Sequence, residues 1–255
     1  MYVARLKTQS YITRQGPDIR PQLQSQGYGL IKASEFILSP GLPVHFQALQ
    51  DACQDLPKDE YDPFGCRYRR LARFLYKPWN DRLELLPYWP YKQAAKFAPV
   101  SGDVQRQLAP LGAREIKNPF LRALIRFDYR QLPIPQDVRQ LPWLVGVHPI
   151  KVIATPEQVG VSSPGCLHKD GEPYGCIHLI NRKNVLGGLS VVASNDKVVL
   201  CETVLSNPLD TLIYVDELVY HHVADVHVCP GYAQGERHVL LVDFAPLLPQ
   251  ETRLF

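Results

Sequence analysis

One methionine stands in the 255 residues. No apolar run approaches the roughly 18 residues that a membrane-crossing helix needs. Charge of one sign is also lacking: 28 Lys and Arg against 25 Asp and Glu leave a net charge of +3. General electrostatic attraction to nucleic acid or to a membrane surface is therefore not expected. Cys53, Cys66, Cys166, Cys176, Cys201 and Cys229 make no CxxC pair, which argues against a zinc knuckle or a small disulfide scaffold and favours free thiols. There is no internal repeat and no low-complexity segment. The opening stretch MYVARLKTQSYITRQG has no apolar core and no small-residue cleavage site, so a cytoplasmic protein is expected.

Proline, by contrast, is plentiful at 23 residues. That number implies many short elements joined by defined turns. A hydrophobic share of 45% suits one globular core. The length fits a single domain over 1–255, with a mixed helical and strand region over 1–142 packed on a core over 143–248.

Two helices are signalled in the first half. Asn118 can cap a helix over 119–131, Pro119 suits its first turn, and Leu121, Leu124 and Ile125 form its apolar stripe. A second is expected near 43–55, with Val44, Leu49, Ala52 and Cys53 on or near one face. From about residue 143 the texture changes. Short β-branched runs recur at 144–154, 174–182, 189–194, 197–204, 210–216, 217–228 and 237–244. Turn chemistry divides them, at Gly187-Gly188, Asn195-Asp196, Asn207-Pro208 and Pro230-Gly231. Six or seven such strands without helical patterning predict a mainly β fold with added helices, built on a sandwich or jelly-roll core.

The segment PGCLHKDGE sets His168 and Asp170 two apart. On an extended strand, residues i and i+2 face the same way. An imidazole and a carboxylate can thus reach one ion from a single strand. Alone, the polar His-Lys-Asp-Gly-Glu run is as compatible with a surface turn. A third ligand would come from His221 or His222 in a later strand. Strand alternation lets only one of these two point inward and does not choose between them. Two histidines and one carboxylate on one face of an ion leave three open positions, the arrangement of non-haem iron(II) oxygenases. Arg237 opens the last strand, RHVLLVDF. A buried guanidinium there is a natural bidentate partner for the distal carboxylate of a 2-oxo diacid.

The stretches LVGVHPIKV, GCLHKDG, HLINRKNVLGG, VYHHVADVHV and GERHVLLVDF carry a resemblance. They look like the Fe(II)/2-oxoglutarate-dependent dioxygenases with a double-stranded β-helix (jelly-roll, cupin-like) core. The similarity is greatest to the bacterial free L-isoleucine 4-hydroxylase group. The resemblance implies His168, Asp170 and His221 as iron ligands and Arg237 as the 2-oxoglutarate arginine. It implies Fe(II), 2-oxoglutarate and O₂ as metal and co-substrates. Hydroxylation of an unactivated C–H bond, with release of succinate and CO₂, would follow. A free L-amino acid or close derivative is the implied small-molecule substrate. Two positions depart from the family pattern. Ala224-Asp225 replaces a Thr-Pro, so the strand after the ligand is expected to be shaped differently. Val239 replaces a Ser or Thr that helps hold the co-substrate carboxylate, a contact that a tyrosine or Asn181 would have to supply.

Several other features carry bland readings beside sharper ones. His178 reads as a packed strand histidine, with contact to co-substrate as the alternative. His148 could orient substrate or serve structure, whereas His227 and His238 read as outward-facing or rim residues. The segment GCRYRRLARFLYKPWNDRLELLPYWPYK interleaves Arg with aromatics. It could bind nucleic acid, line a pocket whose arginine takes a carboxylate, or form a packed aromatic cluster on a solvated surface; Arg69 and Arg70 are the residues to test first. Alternative functions are an oxygenase acting on a peptide or protein side chain or another small metabolite, and a jelly-roll metal- or ligand-binding protein without redox chemistry. The oligomeric state is not legible; a homodimer is one option.

Overall fold

The computed structural model describes residues 11–94, 103–162 and 165–248. The first ten residues of the stretch read for a leader, and Pro164 of PGCLHKDGE, lie outside the described residues. The first half contains β1 (Ile12–Arg14), α1 (Arg20–Gln26), β2 (Tyr28–Ile31), β3 (Phe36–Leu38), α2 (Leu42–Ala52), β4 (Arg67–Arg69), β5 (Ala72–Lys77), β6 (Arg82–Leu85), α3 (Ala113–Ile116) and α4 (Pro119–Gln131). The second half contains β7 (Trp143–Ala154), β8 (Tyr174–Lys183), β9 (Val185–Gly187), β10 (Leu189–Ser194), β11 (Val199–Val204), β12 (Thr211–Val215), β13 (Val219–Val223), β14 (Val226–Val228) and β15 (Gly235–Pro246).

The large sheet runs β2-β12-β8-β15-β7-β5-β6, with β4 also on β7. A smaller sheet runs β11-β10-β13, and β14 pairs β9. These pairings are antiparallel. The N-terminal half thus extends the large sheet at both edges, through β2 on one side and β5 and β6 on the other.

Alternation divides the large sheet into two faces. Cys176 and Ile180 of β8, Ile213 of β12 and Leu240, Val242 and Phe244 of β15 join one core with α4. Ile177 and Leu179, Leu212 and Tyr214, and Val239 turn the other way and meet Val192 of β10 and Val219 of β13. The small sheet therefore covers the face opposite the helices. This two-sheet arrangement is the double-stranded β-helix.

Helix α4 forms where its signals place it. Asn118 Oδ1 accepts from the backbone N–H of Phe120 at 2.8 Å and of Leu121 at 3.2 Å, satisfying donors that a helix start leaves free. Phe120, Leu121, Leu124, Ile125 and Phe127 are buried against the sheet, each worth roughly 1.5–3 kcal/mol over exposure. Helix α2 spans Leu42–Ala52 and stops short of the expected residue 55. Leu49 and Cys53 are buried as expected, but Val44, expected near the apolar face, is exposed, and Leu42 is buried in its place.

The run 217–228 is two strands. β13 ends at Val223, and the chain leaves it through Ala224-Asp225 to pair β14 with β9. Ala224 N–H donates to Leu189 O at 2.8 Å and Gly188 N–H to Asp225 O at 3.0 Å. Gly187 and Gly188 both have left-handed φ, +80° and +69°, and a Cβ on Gly187 would lie 2.4 Å from Asp225 O. The di-glycine is thus required by a backbone crossing.

Candidate metal centre

His168 and His221 face each other across an antiparallel bridge. His168 N–H donates to His221 O and His221 N–H to His168 O, both at 3.0 Å. Residues directly opposite in such a pair share a face, and Asp170 joins them from two residues on. His222 lies on the other face of β13, opposite Val191.

One donor atom from each of His168, Asp170 and His221 lies within 4.8 Å of the others. His168 Nε2 is 3.7 Å from Asp170 Oδ1, and His221 Nε2 is 3.4 Å from Asp170 Oδ2. Ligands about 2.1 Å from an ion and at right angles would sit ~3.0 Å apart, so the set could close on one ion with small movements. His168 Nδ1–H donates to Cys166 O at 3.1 Å, which leaves Nε2 with its lone pair turned to the site. Burial holds the His168 pKa below its usual value, favouring the neutral ring that a metal needs. Burial opposes ionisation of Asp170, but His221, His168 and the Tyr214 hydroxyl together outweigh this and keep the carboxyl well below the usual range; Asp170 in turn raises the pKa of His221 against the effect of burial.

Residues that the sequence did not flag hold this group. Tyr214 of β12, buried to 1%, donates its hydroxyl to Asp170 Oδ2, and its ring centroid lies 4.3 Å from that of His221. Asp216 accepts from the backbone N–H of Asp170 at 2.8 Å and of Gly171 at 2.9 Å. Gln93 donates to Asp170 O at 2.8 Å. An aromatic at every second strand position is common in any β core, so nothing local marked Tyr214 out.

A cavity of about 310 Å³ opens on the three side chains. At one part of its wall stands Arg237, 2% exposed, with Val223 and Val239 beside it. Its Nε and Nη2 have no hydrogen-bond partner among the described residues. Burial, aided by Arg182 nearby, pushes its pKa down to about 10. A buried guanidinium in this condition calls for an anion. Ser162 also lines the cavity, with a buried unpartnered Oγ. Asn181, the sequence's candidate for the contact missing at Val239, instead accepts from Arg182 N–H at 2.8 Å.

The remaining histidines separate. His178 faces the helices: Nε2 lies 3.0 Å from Asp128 Oδ2 and Nδ1 lies 2.8 Å from Thr211 Oγ1, all in the core. His148 lies on the cavity side, with Nδ1 2.6 Å from Arg69 Nη2 and Nε2 3.0 Å from Asp243 Oδ2. His227 is exposed. His238, expected at the rim, is fully buried, because alternation along β15 turns it to the helix side when Arg237 faces the cavity. Of the Arg-aromatic segment, Arg67 and Arg69 line the cavity, whereas Arg70 donates to Pro110 O elsewhere on the surface. Among the described residues, no helix is long and apolar enough to cross a membrane.

Comparison with known proteins agrees with this geometry. The family described as 2OG-Fe dioxygenase matches residues 50–243. The 3(1)-hydroxy-L-isoleucine 4-dioxygenase of Pantoea ananatis is 28% identical over 232 residues, covering 87% of this chain and 93% of that protein. The L-isoleucine-4-hydroxylase of Bacillus thuringiensis is 28% identical over 191 residues, covering 73% and 78%. The crystal structure of IDO from Bacillus thuringiensis superposes with a TM-score of 0.75 at 24% identity, covering 89% of this chain and 97% of that one. A bsmA homologue from Methylobium petroleophilum PM1 gives 0.74 at 21% identity, covering 89% and 91%. With a match over most of its length, this chain belongs to the 2OG-Fe dioxygenase family, enzymes that use Fe(II) and 2-oxoglutarate.

Proposed function

We propose that the chain hydroxylates an unactivated C–H bond of a free L-amino acid or close derivative, with His168, Asp170 and His221 holding Fe(II) and Arg237 holding 2-oxoglutarate. The observation that carries this reading is the pairing of a closable His-Asp-His set with a buried, unpartnered guanidinium in one cavity. The iron and co-substrate supply O₂ activation, and 2-oxoglutarate leaves as succinate and CO₂. The protein supplies geometry. Tyr214 and Asp216 fix the Asp170 carboxylate and backbone, and the Cys166 carbonyl fixes the His168 ring. The named activities of the Pantoea and Bacillus relatives, both on isoleucine or its hydroxylated form, support an amino acid as the substrate.

Anaerobic addition of 2-oxoglutarate to the Fe(II) protein should raise a weak visible charge-transfer band. His168→Ala should abolish it. A folded wild-type protein that gives no band would rule the reading out. Succinate release across free amino acids then identifies the substrate; turnover of peptides alone would favour the side-chain reading instead.

A further inference from the structure

The cavity holds more cationic charge than iron and 2-oxoglutarate account for. Arg69 and Arg106 both line it, and they are only 7% and 5% exposed. Each has a buried Nε with no hydrogen-bond partner among the described residues. Both guanidiniums lie over the ring of Tyr91, at 5.4 and 4.7 Å from its centroid. Their other contacts hold them in place without neutralising them. Arg69 Nη2 donates to the neutral Nδ1 of His148, which in turn donates from Nε2 to Asp243. The nearest carboxylate to Arg69, Asp59, is 4.0 Å from Nη1 and already bonds Arg67 Nε at 2.9 Å. Arg106 Nη2 reaches only the amide oxygen of Gln93 at 3.4 Å.

Charge bookkeeping around this wall leaves a surplus. Arg67, Arg69, Arg73 and Arg106 face three carboxylates, Asp59, Asp62 and Asp243; Asp62 is occupied with the backbone N–H groups of Phe64, Cys66 and Arg67, and Asp243 with His148. Buried guanidiniums without an anion are unfavourable, and one monoanionic carboxylate would balance the set. Gln93 gives the position. Its Nε2 donates to the backbone oxygen of Asp170 while its Oε1 meets Arg106, so the cationic wall is one side chain away from the iron ligands.

We propose that Arg69 and Arg106, stacked on Tyr91, bind the carboxylate of the substrate and so make a free carboxylate a requirement for recognition. The proposal rests on the function put forward above. It adds that a substrate whose α-carboxyl is an amide, or lies inside a peptide chain, is rejected, because the amide cannot neutralise the pair. Contact with the Tyr91 ring holds both guanidiniums in place before a ligand arrives, which lowers the ordering needed on binding.

Calorimetric titration decides it, on the metal-free chain and on the anaerobic Fe(II)–2-oxoglutarate form. The probes are the proteinogenic L-amino acids, their N-acetyl derivatives and their carboxamides. At least one carboxylate should bind, and its carboxamide should bind on the order of 100-fold more weakly, the scale for losing one partner of a buried charge pair. Binding of the N-acetyl form as well as the free amino acid supports the proposal, since both keep the carboxylate. Arg106→Met should shrink the acid-to-amide ratio by at least about tenfold, and Arg106→Lys should restore part of it. Equal affinity for acid and amide, or no binding by any of the carboxylates, overturns the assignment. Failure of the charge-transfer band with a preserved acid preference would sink the oxygenase reading and leave this one standing.

Discussion

Arg237 sets up a sharp test, because the same side chain is expected to weaken the free protein and strengthen the co-substrate complex. Its pKa falls to about 10 in the fold, well below the usual guanidinium value. At 1.36 kcal/mol per unit, this corresponds to roughly 3 kcal/mol, as an upper scale. The sign follows from the base being charged at neutral pH in both states. A depressed folded pKa means the charged form is disfavoured on folding, and this penalty is in full force below pH 10. Arg237→Met keeps the apolar stem and removes the charge. Without 2-oxoglutarate, the variant should therefore be as stable as the wild type or more so, by up to about 3 kcal/mol, or several degrees in Tm for a chain of this size. Saturating 2-oxoglutarate at about 100 times Kd should stabilise the wild type by ~2.7 kcal/mol and leave the variant unmoved. Differential scanning calorimetry of metal-free and Mn(II)-loaded protein, with and without 2-oxoglutarate, reads both arms. A variant clearly less stable than wild type in the absence of 2-oxoglutarate would refute the idea that the guanidinium waits uncompensated. A variant that still gains stability from 2-oxoglutarate would refute its role.

Other outcomes follow from the same geometry. Tyr214→Phe removes the hydroxyl bonded to Asp170 and should weaken Mn(II) or Fe(II) binding by about 10- to 100-fold, read by metal titration. His221→Ala should eliminate the 2-oxoglutarate charge-transfer band, whereas His222→Ala, on the opposite strand face, should retain it; loss in both would contradict the strand register. Asp128→Ala strands His178 in the core and should destabilise the fold by roughly 3–5 kcal/mol in urea unfolding, with co-substrate affinity unchanged because the pair lies behind the sheet. Asn118→Ala should cost about 1 kcal/mol by the same measurement.

Much of the metal centre is legible in the sequence, because strand alternation is local. HxD spacing places His168 and Asp170 on one side without knowledge of the rest. The choice between His221 and His222 is not local. It depends on which residue falls opposite His168 across the bridge, a register that only the assembled sheets define. Helix α4 announces itself through Asn118 and Pro119, whose capping chemistry is written in adjacent residues. The buried partner on that helix does not: helical spacing puts Asp128 on the stripe of Leu121, Leu124 and Ile125, but only the fold brings His178 to it. His238 shows the same limit from the other side: read as an outward-facing or rim residue, it lies in the core. Arg106 and Gln93 come from irregular chain, where no periodicity exists to be read, and only tertiary contact brings them to Tyr91 and Asp170.

The pairing of β15 with β8 contains a register shift between His238 and Val239. His238 stands opposite Asn181, Val239 opposite Leu179, and Ile180 is the residue left over. Without the shift, Ile180 would stand opposite His238 and Asn181 opposite Arg237, and Arg182 would follow the parity of His178 and Ile180 and point toward the helices. With it, Arg182 stands opposite Arg237 on the cavity side, and its Nη2 ties down Val185 O and Gly187 O. A single surplus residue in one strand thus works as a phase shifter, converting a position that would have belonged to the hydrocarbon layer into part of the enzyme's cationic end. Deleting Ile180 would restore ordinary pairing and still leave Arg182 opposite Arg237, whereas a ladder that kept Ile180 without the shift would place Asn181 opposite Arg237 and turn Arg182 toward the helices. Register, as much as residue identity, sets the potential there.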